Sequence, residues 1–395
     1  MPASPSLPVA DPYELGLAPA QLTRLSDAFR AEIELGRLPG AVMLVGRRGR
    51  IGWFEALGMA DPVRGIPMAH DALFRIYSMT KPIVSLAVMM LVEEGRLLLD
   101  DPVSRHLPEY AAQKVAVQRD GGMELVPVAR DATVQDLLRH TSGLAYEFTG
   151  DSPVQRRYAE LRVGSLSKTN AEFSEQLASL PLMHQPGARW EYSRSTDTLG
   201  RLVEVVSGKT LGEFLAERIL EPLGMVDTGF HVPQEKQHRL ADAFPVDPDS
   251  GAPVRLVKVT EPPRFESGGG GLVSTAIDYA RFLQMLQNGG SLDGVRLIGR
   301  KTLEWMTADH LGAIPSQSTL LPPGHGFGLG FAVRLQAGID ATPGSVGQYF
   351  WSGLAGTTFW VDPREELYAL LLVQAPNQRE YCRTLFRSLV YAALA

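Results

Sequence analysis

The sequence predicts an α+β fold: an antiparallel sheet built from the N- and C-terminal segments, flanked by helices and interrupted by a mostly helical insert. Three observations carry this. Strand-like runs stand near the N-terminus, at Ala41 to Val45 and Ile51 to Leu57, and return late, at Gly326 to Arg334, Gly347 to Trp351, Thr357 to Val361 and Glu366 to Gln374. The middle third of the chain reads mostly as helices. From Ile83 to Val92 every residue but Ser85 is apolar, and a helix apolar on all sides belongs inside a protein. One sheet made from both ends, with the helices between, buries these surfaces. On this reading residues 1-85 and 196-395 form the sheet-bearing part and 86-195 the mostly helical part.

The totals fit a soluble globular protein. With 395 residues, 45% of them hydrophobic, the chain can bury a large core in two or three folding units. A net charge of −6 without a basic run argues against a nucleic-acid or anionic-membrane partner. A single cysteine, Cys382, excludes an internal disulfide and a thiolate metal cluster. The N-terminus has neither a basic start nor an apolar core, so no signal peptide is expected and the expected location is cytoplasmic.

In chain order, Leu22, Leu25, Phe29 and Ile33 give Gln21 to Gly36 a surface-helix periodicity that ends at a glycine. The runs at Ala41 to Val45 and Ile51 to Leu57 flank Gly46-Arg-Arg-Gly-Arg50 and read as a hairpin. The apolar helix starts near Ser78, with Pro82 tolerated in its opening turn and Gly95 as its stop. Arg96 to Tyr110 carries two prolines and reads as a turn and a short helix, after which the sheet signal disappears. Helices follow at Thr133 to Arg139, capped by Thr133, and at Phe173 to Leu180. Tyr146 to Asn170 is polar and irregular, a flap beside a site. Arg201 to Ser207, Leu211 to Leu220 and Thr275 to Leu286 read as further helices, and Tyr381 to Leu394 as the closing one.

The start of the apolar helix has chemical content. Ser78 and Lys81, three residues apart, share a helix face in an apolar setting. Burial disfavours an ammonium, so Lys81 is expected to have a depressed pKa and to act as a neutral base for the serine. The free N–H groups of the first turn favour the negative charge that develops in acyl transfer. A second Ser-x-x-Lys, Ser165 to Lys168, sits in a polar run with no apolar helix behind it and reads as solvated loop. Gly268 to Gly271 lacks the residues of a phosphate loop and reads as a turn. The histidines show no metal-ligand spacing, no serine lies in Gly-x-Ser-x-Gly, and His140 reads as a helix-end residue rather than a triad base.

Taken together, Ser78-Met-Thr-Lys81, Tyr192-Ser193-Arg194 and Trp351-Ser352-Gly353 resemble the three motifs of serine β-lactamases and penicillin-binding proteins in order and wide spacing. Those motifs are Ser-x-x-Lys, Tyr-x-Asn or Ser-x-Asn, and Lys-Thr-Gly. Glu94 to Val103, His140 to Leu144 and Gly268 to Thr275 are similar to the family's connecting segments, so the likeness runs from about residue 20 to the C-terminus. Two departures, Ser193-Arg194 for x-Asn and Trp351 for the lysine, resemble the esterase branch, the family VIII carboxylesterases.

The resemblance implies a β-lactamase-like fold and a serine hydrolase that cleaves short-chain carboxylic esters through an acyl-enzyme on Ser78. It implies no cofactor and no metal, and a small-molecule ester as partner. Lys81 and Tyr192 would share the general-base work, with the phenol pKa lowered by the neighbouring ammonium; which of the two is the base stays open. The backbone N–H groups of Ser78 and Leu354 would form the oxyanion hole, and Trp351, Ser352 and Gly353 would line the substrate site. An indole at Trp351 offers apolar surface where the lactamases hold a carboxylate, which favours neutral esters. A β-lactamase or D-amino-acid peptidase, an acyltransferase of the same fold and a non-catalytic binding module are the alternatives. The natural ester and the oligomeric state are not legible in the chain.

Overall fold

The sheet expected from the two ends of the chain is present as eight antiparallel strands in a computed structural model, which describes residues 6–120, 122–316 and 318–395. Residues 1–5, on which part of the leader reading rests, lie outside that set. The N-terminal end supplies β1 (Gly40–Arg47), β2 (Arg50–Asp61) and β3 (Ile66–Pro67). The C-terminal end supplies β4 (His325–Phe327), β5 (Ala332–Arg334), β6 (Tyr349–Ser352), β7 (Thr358–Asp362) and β8 (Leu367–Val373). Across the sheet they run β4-β5-β6-β7-β8-β1-β2-β3. The seam between the ends is β1 with β8, from Ala41 opposite Val373 to Arg47 opposite Leu367.

Six helices frame the sheet and the site: α1 (Pro19–Glu34), α2 (Thr80–Glu93), α3 (Asn170–Ala178), α4 (Ser195–Ser207), α5 (Ala276–Gln287) and α6 (Arg379–Ala392). Neighbouring residues of a strand point to opposite faces, and on β7 Phe359 meets Tyr279 of α5 while Trp360 meets Phe386 of α6. Phe386 in turn packs edge-on against Phe29 of α1, so α1 and α6 share one face and α5 takes the other. Covered on both sides, β1 and β8 are buried along their whole length, which is why they read as continuous apolar runs rather than alternations. Gly46 on β1 lies opposite Tyr368, and a Cβ there would fall 2.1 Å from the tyrosine ring.

The core helix α2 is buried from Thr80 to Leu91 and stops at Gly95, whose φ of +68° suits glycine. The expected division after residue 85 falls inside α2, so the two parts of the chain share this helix. Among the described residues no helix is long and apolar enough to cross a membrane.

Three local differences have physical causes. Gly326 to Arg334, expected as one strand, is two: β4 and β5 reverse at Gly328, whose N–H donates to the Phe331 carbonyl, with Gly330 at φ +100°. A hairpin absent from the sequence reading pairs Lys114–Arg119 with Gly122–Pro127. Its strands are largely exposed on both faces, so no apolar alternation marks them. Inside the polar flap, Pro153–Glu160 is a helix with a capping box, the Ser152 hydroxyl accepting from the Gln155 N–H while the Gln155 side chain accepts from the Ser152 N–H.

Candidate active site

Ser78 sits in a single 3₁₀ turn, Tyr77–Met79, that leads directly into α2. Tyr77 holds φ at +45°, a conformation a bulky L-residue adopts only under constraint, and its hydroxyl is anchored by the Val257 N–H at 3.0 Å. This strained entry leaves Ser78 half-buried at the head of a buried helix, one turn before Lys81.

Lys81 is 1% exposed, and its amine touches three polar atoms. They are Ser78 Oγ at 3.2 Å, Tyr146 Oη at 3.0 Å and the Gly269 carbonyl at 2.6 Å. A neutral amine has two N–H donors and one lone pair. The ammonium donates to all three, whereas in the neutral form, with the donors given to Gly269 and Tyr146, the lone pair would face the Ser78 hydroxyl. Burial pushes the Lys81 pKa down to about 7, with Asp197 pulling it up and Arg194 pushing it further down. The lysine stands beside the serine, and burial lowers its pKa in the direction the sequence suggests.

Tyr192 differs from expectation. The Lys81 amine lies over its ring, 4.5 Å from the centroid, rather than beside its hydroxyl. Burial pushes the phenol well above its ordinary value, opposed only in part by hydrogen bonds with Ser78 and Trp351. The direction is opposite to the lowered phenol pKa expected from a neighbouring ammonium, because desolvation dominates at Tyr192. Its burial favours the protonated phenol, in reach of Ser78.

Trp351, on β6, is 5% exposed and donates its indole N–H to the Tyr192 hydroxyl at 3.2 Å. Its ring packs against Tyr192 and edge-on against Phe327, so its main contact in the site is with the tyrosine. The Ser352 hydroxyl is engaged by Thr358 Oγ1 of β7 at 2.8 Å. Gly353 donates its N–H to Thr357, and a Cβ there would fall 2.4 Å from the Ile76 carbonyl. Only a glycine lets this strand end close onto the segment that carries Ser78. Leu354 lies in the turn between β6 and β7, and neither its N–H nor that of Ser78 has a hydrogen-bond acceptor among the described residues. On β6, β5 pairs with Tyr349 and Phe350, and the ladder stops short of Trp351 and Ser352.

Three groups of the site escaped the sequence reading. Tyr146, at the start of the flap, is stacked between Phe148 and the Arg194 guanidinium and reaches Lys81 with its hydroxyl. Asp197, fully buried in the first turn of α4, accepts from Ser267 Oγ at 2.5 Å, from the Gly269 N–H at 2.9 Å and from Arg194 at 3.2 Å. Gly269, in the turn dismissed as a phosphate loop, holds Lys81 with its carbonyl. The available signal was the polar run Ser193 to Thr198 ahead of an apolar helical stretch. That run is buried, and α4 begins at Ser195 rather than at Arg201.

Arg194, where a lactamase has asparagine, is held by Glu147 and Asp197 and is turned into this network. His140 stands at a helix end with φ +57°, as expected, yet it adjoins the site. Its Nδ1 lies 3.2 Å from Ser193 Oγ and its ring packs on Tyr192, while burial holds the imidazole well below its ordinary pKa and neutral. The side chains of the second Ser-x-x-Lys are engaged with other partners. Ser165 Oγ pairs with Ser167, and Lys168 is spent on the carbonyls of Arg162 and Val163 and on Gln176.

A model of the beta-lactamase family matches residues 25–391 of the chain. Protein Rv1367c of Mycobacterium tuberculosis is 38% identical, the match covering 88% of each chain. Esterase EstB of Burkholderia gladioli is 36% identical over 92% of this chain and 93% of its own. Among solved structures, EstCE1, described as a hydrolase with promiscuous acyltransferase activity, superposes with a TM-score of 0.80 at 27% identity, covering 94% of this chain and 98% of that one.

Proposed function

The chain belongs to the beta-lactamase family, in its esterase branch, and on that premise we propose that it hydrolyses short-chain carboxylic esters through an acyl-enzyme on Ser78. The observation that carries this reading is the buried Lys81 amine, held by Gly269 and Tyr146 and placed 3.2 Å from Ser78 Oγ.

Lys81 takes the Ser78 proton as Oγ attacks the ester carbonyl. The oxyanion forms against the N–H groups of Ser78 and Leu354. Tyr192 then gives its proton to the departing alkoxide and is reprotonated by the Lys81 ammonium once that amine swings from over the ring to the hydroxyl, so the free enzyme's base is the lysine and the phenol is its relay. Water attacks the acyl-enzyme by the reverse path and releases the acid. An alcohol entering in place of water gives a new ester, a reading favoured by the likeness to EstCE1. Trp351 holds the Tyr192 hydroxyl through its N–H and brings no cation to β6. Arg383 is engaged with the Gly353 carbonyl and with Glu380, so a neutral ester suits the site better than an anionic lactam.

The test is kcat/KM for a p-nitrophenyl butyrate across pH, read at an isosbestic wavelength, beside a chromogenic cephalosporin. The free enzyme needs Lys81 deprotonated, so the ester rate should rise with pH through a midpoint at about 7 and then level off. Cephalosporin turnover should be lower by at least about tenfold, the loss of one weak charge-assisted contact. A rate that falls as pH rises through neutrality, or a cephalosporin turned over faster than the ester, would overturn the reading.

A further inference from the structure

Asp197 touches neither Ser78 nor the Lys81 amine by hydrogen bond, yet the groups that hold Lys81 are organised around it. Its carboxylate is fully buried in the first turn of α4 and ties down the segment 267–269 at two points, Ser267 Oγ and the Gly269 N–H. The other polar group of the same glycine, its carbonyl, is the shortest contact of the Lys81 amine. The fit around Gly269 is close. A Cβ there would fall 2.7 Å from Tyr146 Oη and 2.8 Å from Asp197 Oδ2, so the glycine is wedged between the second ligand of Lys81 and the carboxylate. Arg194 closes the far side, bonded to Asp197 and Glu147 and stacked on the Tyr146 ring.

We infer that Asp197 is a positioning residue for the reaction: by fixing the turn at Gly269 it aims the Lys81 lone pair at Ser78, and with Arg194 it forms an opposed pair of charges that sets the working pH. This rests on the reading of Lys81 as the base. The charged and titratable groups around that amine are Asp197 and Arg194 from α4, Glu147 behind Arg194, Tyr146 from the flap, Tyr192 ahead of α4, and His140 from the end of the helix Val134–Leu138. The phenols and the imidazole are held neutral by burial. Asp197 and Arg194 are therefore the charges that act on Lys81, the first favouring its ammonium and the second opposing it.

The consequence is a pair of opposite shifts. Asp197→Asn keeps an oxygen for Ser267 and Gly269 but removes the negative charge, so the acid limb of kcat/KM should move to lower pH by about one unit. Its plateau kcat should fall about tenfold or more through looser aim of Lys81, with KM nearly unchanged, because no substrate contact is lost. Arg194→Gln removes the positive charge, and its acid limb should move to higher pH. A merely structural role would lower activity and melting temperature together and leave the limb in place in both variants.

Full pH profiles of wild type, Asp197→Asn, Arg194→Gln and Lys81→Met on one butyrate ester make the test, and either charge variant alone decides the direction if the other fails to fold. Shifts in the stated directions support the assignment. Limbs that stay within error of wild type, or that move the other way, overturn it while leaving Lys81 as base. An acid limb and near-wild-type rate retained by Lys81→Met would instead overturn the base reading, and the assignment with it.

Discussion

Ser78→Ala should lower ester kcat by at least about 10⁴-fold, because the nucleophile that forms the acyl-enzyme is gone and only oriented binding remains. The fold should survive. Ser78 makes no side-chain capping bond to the helix it precedes, and it is half-buried rather than packed in the core. The stability change should stay below about 1 kcal/mol, less than the loss of a typical helix cap. Steady-state rates beside the melting curve of the same preparation check both statements. Ser165→Ala is the control: its hydroxyl meets only Ser167, and its rate should match wild type. A Ser78→Ala enzyme at more than a few per cent of wild-type rate, with Ser165→Ala impaired, would mean that the other Ser-x-x-Lys carries the chemistry.

Lys81→Met should cost about 10²–10⁴-fold in kcat and Tyr192→Phe at least about 10²-fold, the range of a positioned acid or base. The double variant should lose far less than the product of the two, because both groups lie on one proton path from Ser78 to the leaving alcohol. Multiplicative losses would assign them independent roles. Lys81 also leaves a signature in stability. Its folded pKa, about 7, lies below the ordinary lysine value, so between those two pH values the unfolded chain binds the proton that the folded chain has released. Wild-type stability should therefore rise as pH goes up from about 7 toward the ordinary lysine value, and be free of this term's pH dependence below about 7. In Lys81→Met that contribution to the slope should vanish, which chemical denaturation at a series of pH values would read.

What the chain made legible follows from where each residue's signal lies. The sheet from two ends could be read because β1 and β8 are buried on both faces and so are apolar throughout. Ser78 and Lys81 could be read because a local spacing of three residues sits at the head of an apolar helix, and Tyr192 and Trp351 because they fall in motifs of the family. Tyr146, Asp197 and Gly269 lie in three separate segments, a flap, a helix start and a glycine turn, and meet only around the Lys81 amine. Nothing local to any of them announces that meeting. The direction of the Tyr192 pKa shift differs from the expected one for a related reason. The motif suggests a cation nearby, but the depth of burial that raises the phenol and lowers the lysine belongs to the folded packing of Trp351, His140 and Tyr146 around that ring.

The central claim is a covalent acyl group on Ser78, and intact-protein mass spectrometry after rapid mixing with an activated butyrate ester, followed by peptide mapping, tests it most directly. The expected result is a single butyryl adduct on the peptide containing Ser78 that builds within the first turnover, decays as substrate is consumed, and is absent from Ser78→Ala. Turnover with no adduct at any mixing time, or an adduct mapped to Ser165 or any other residue and still formed by Ser78→Ala, would contradict it.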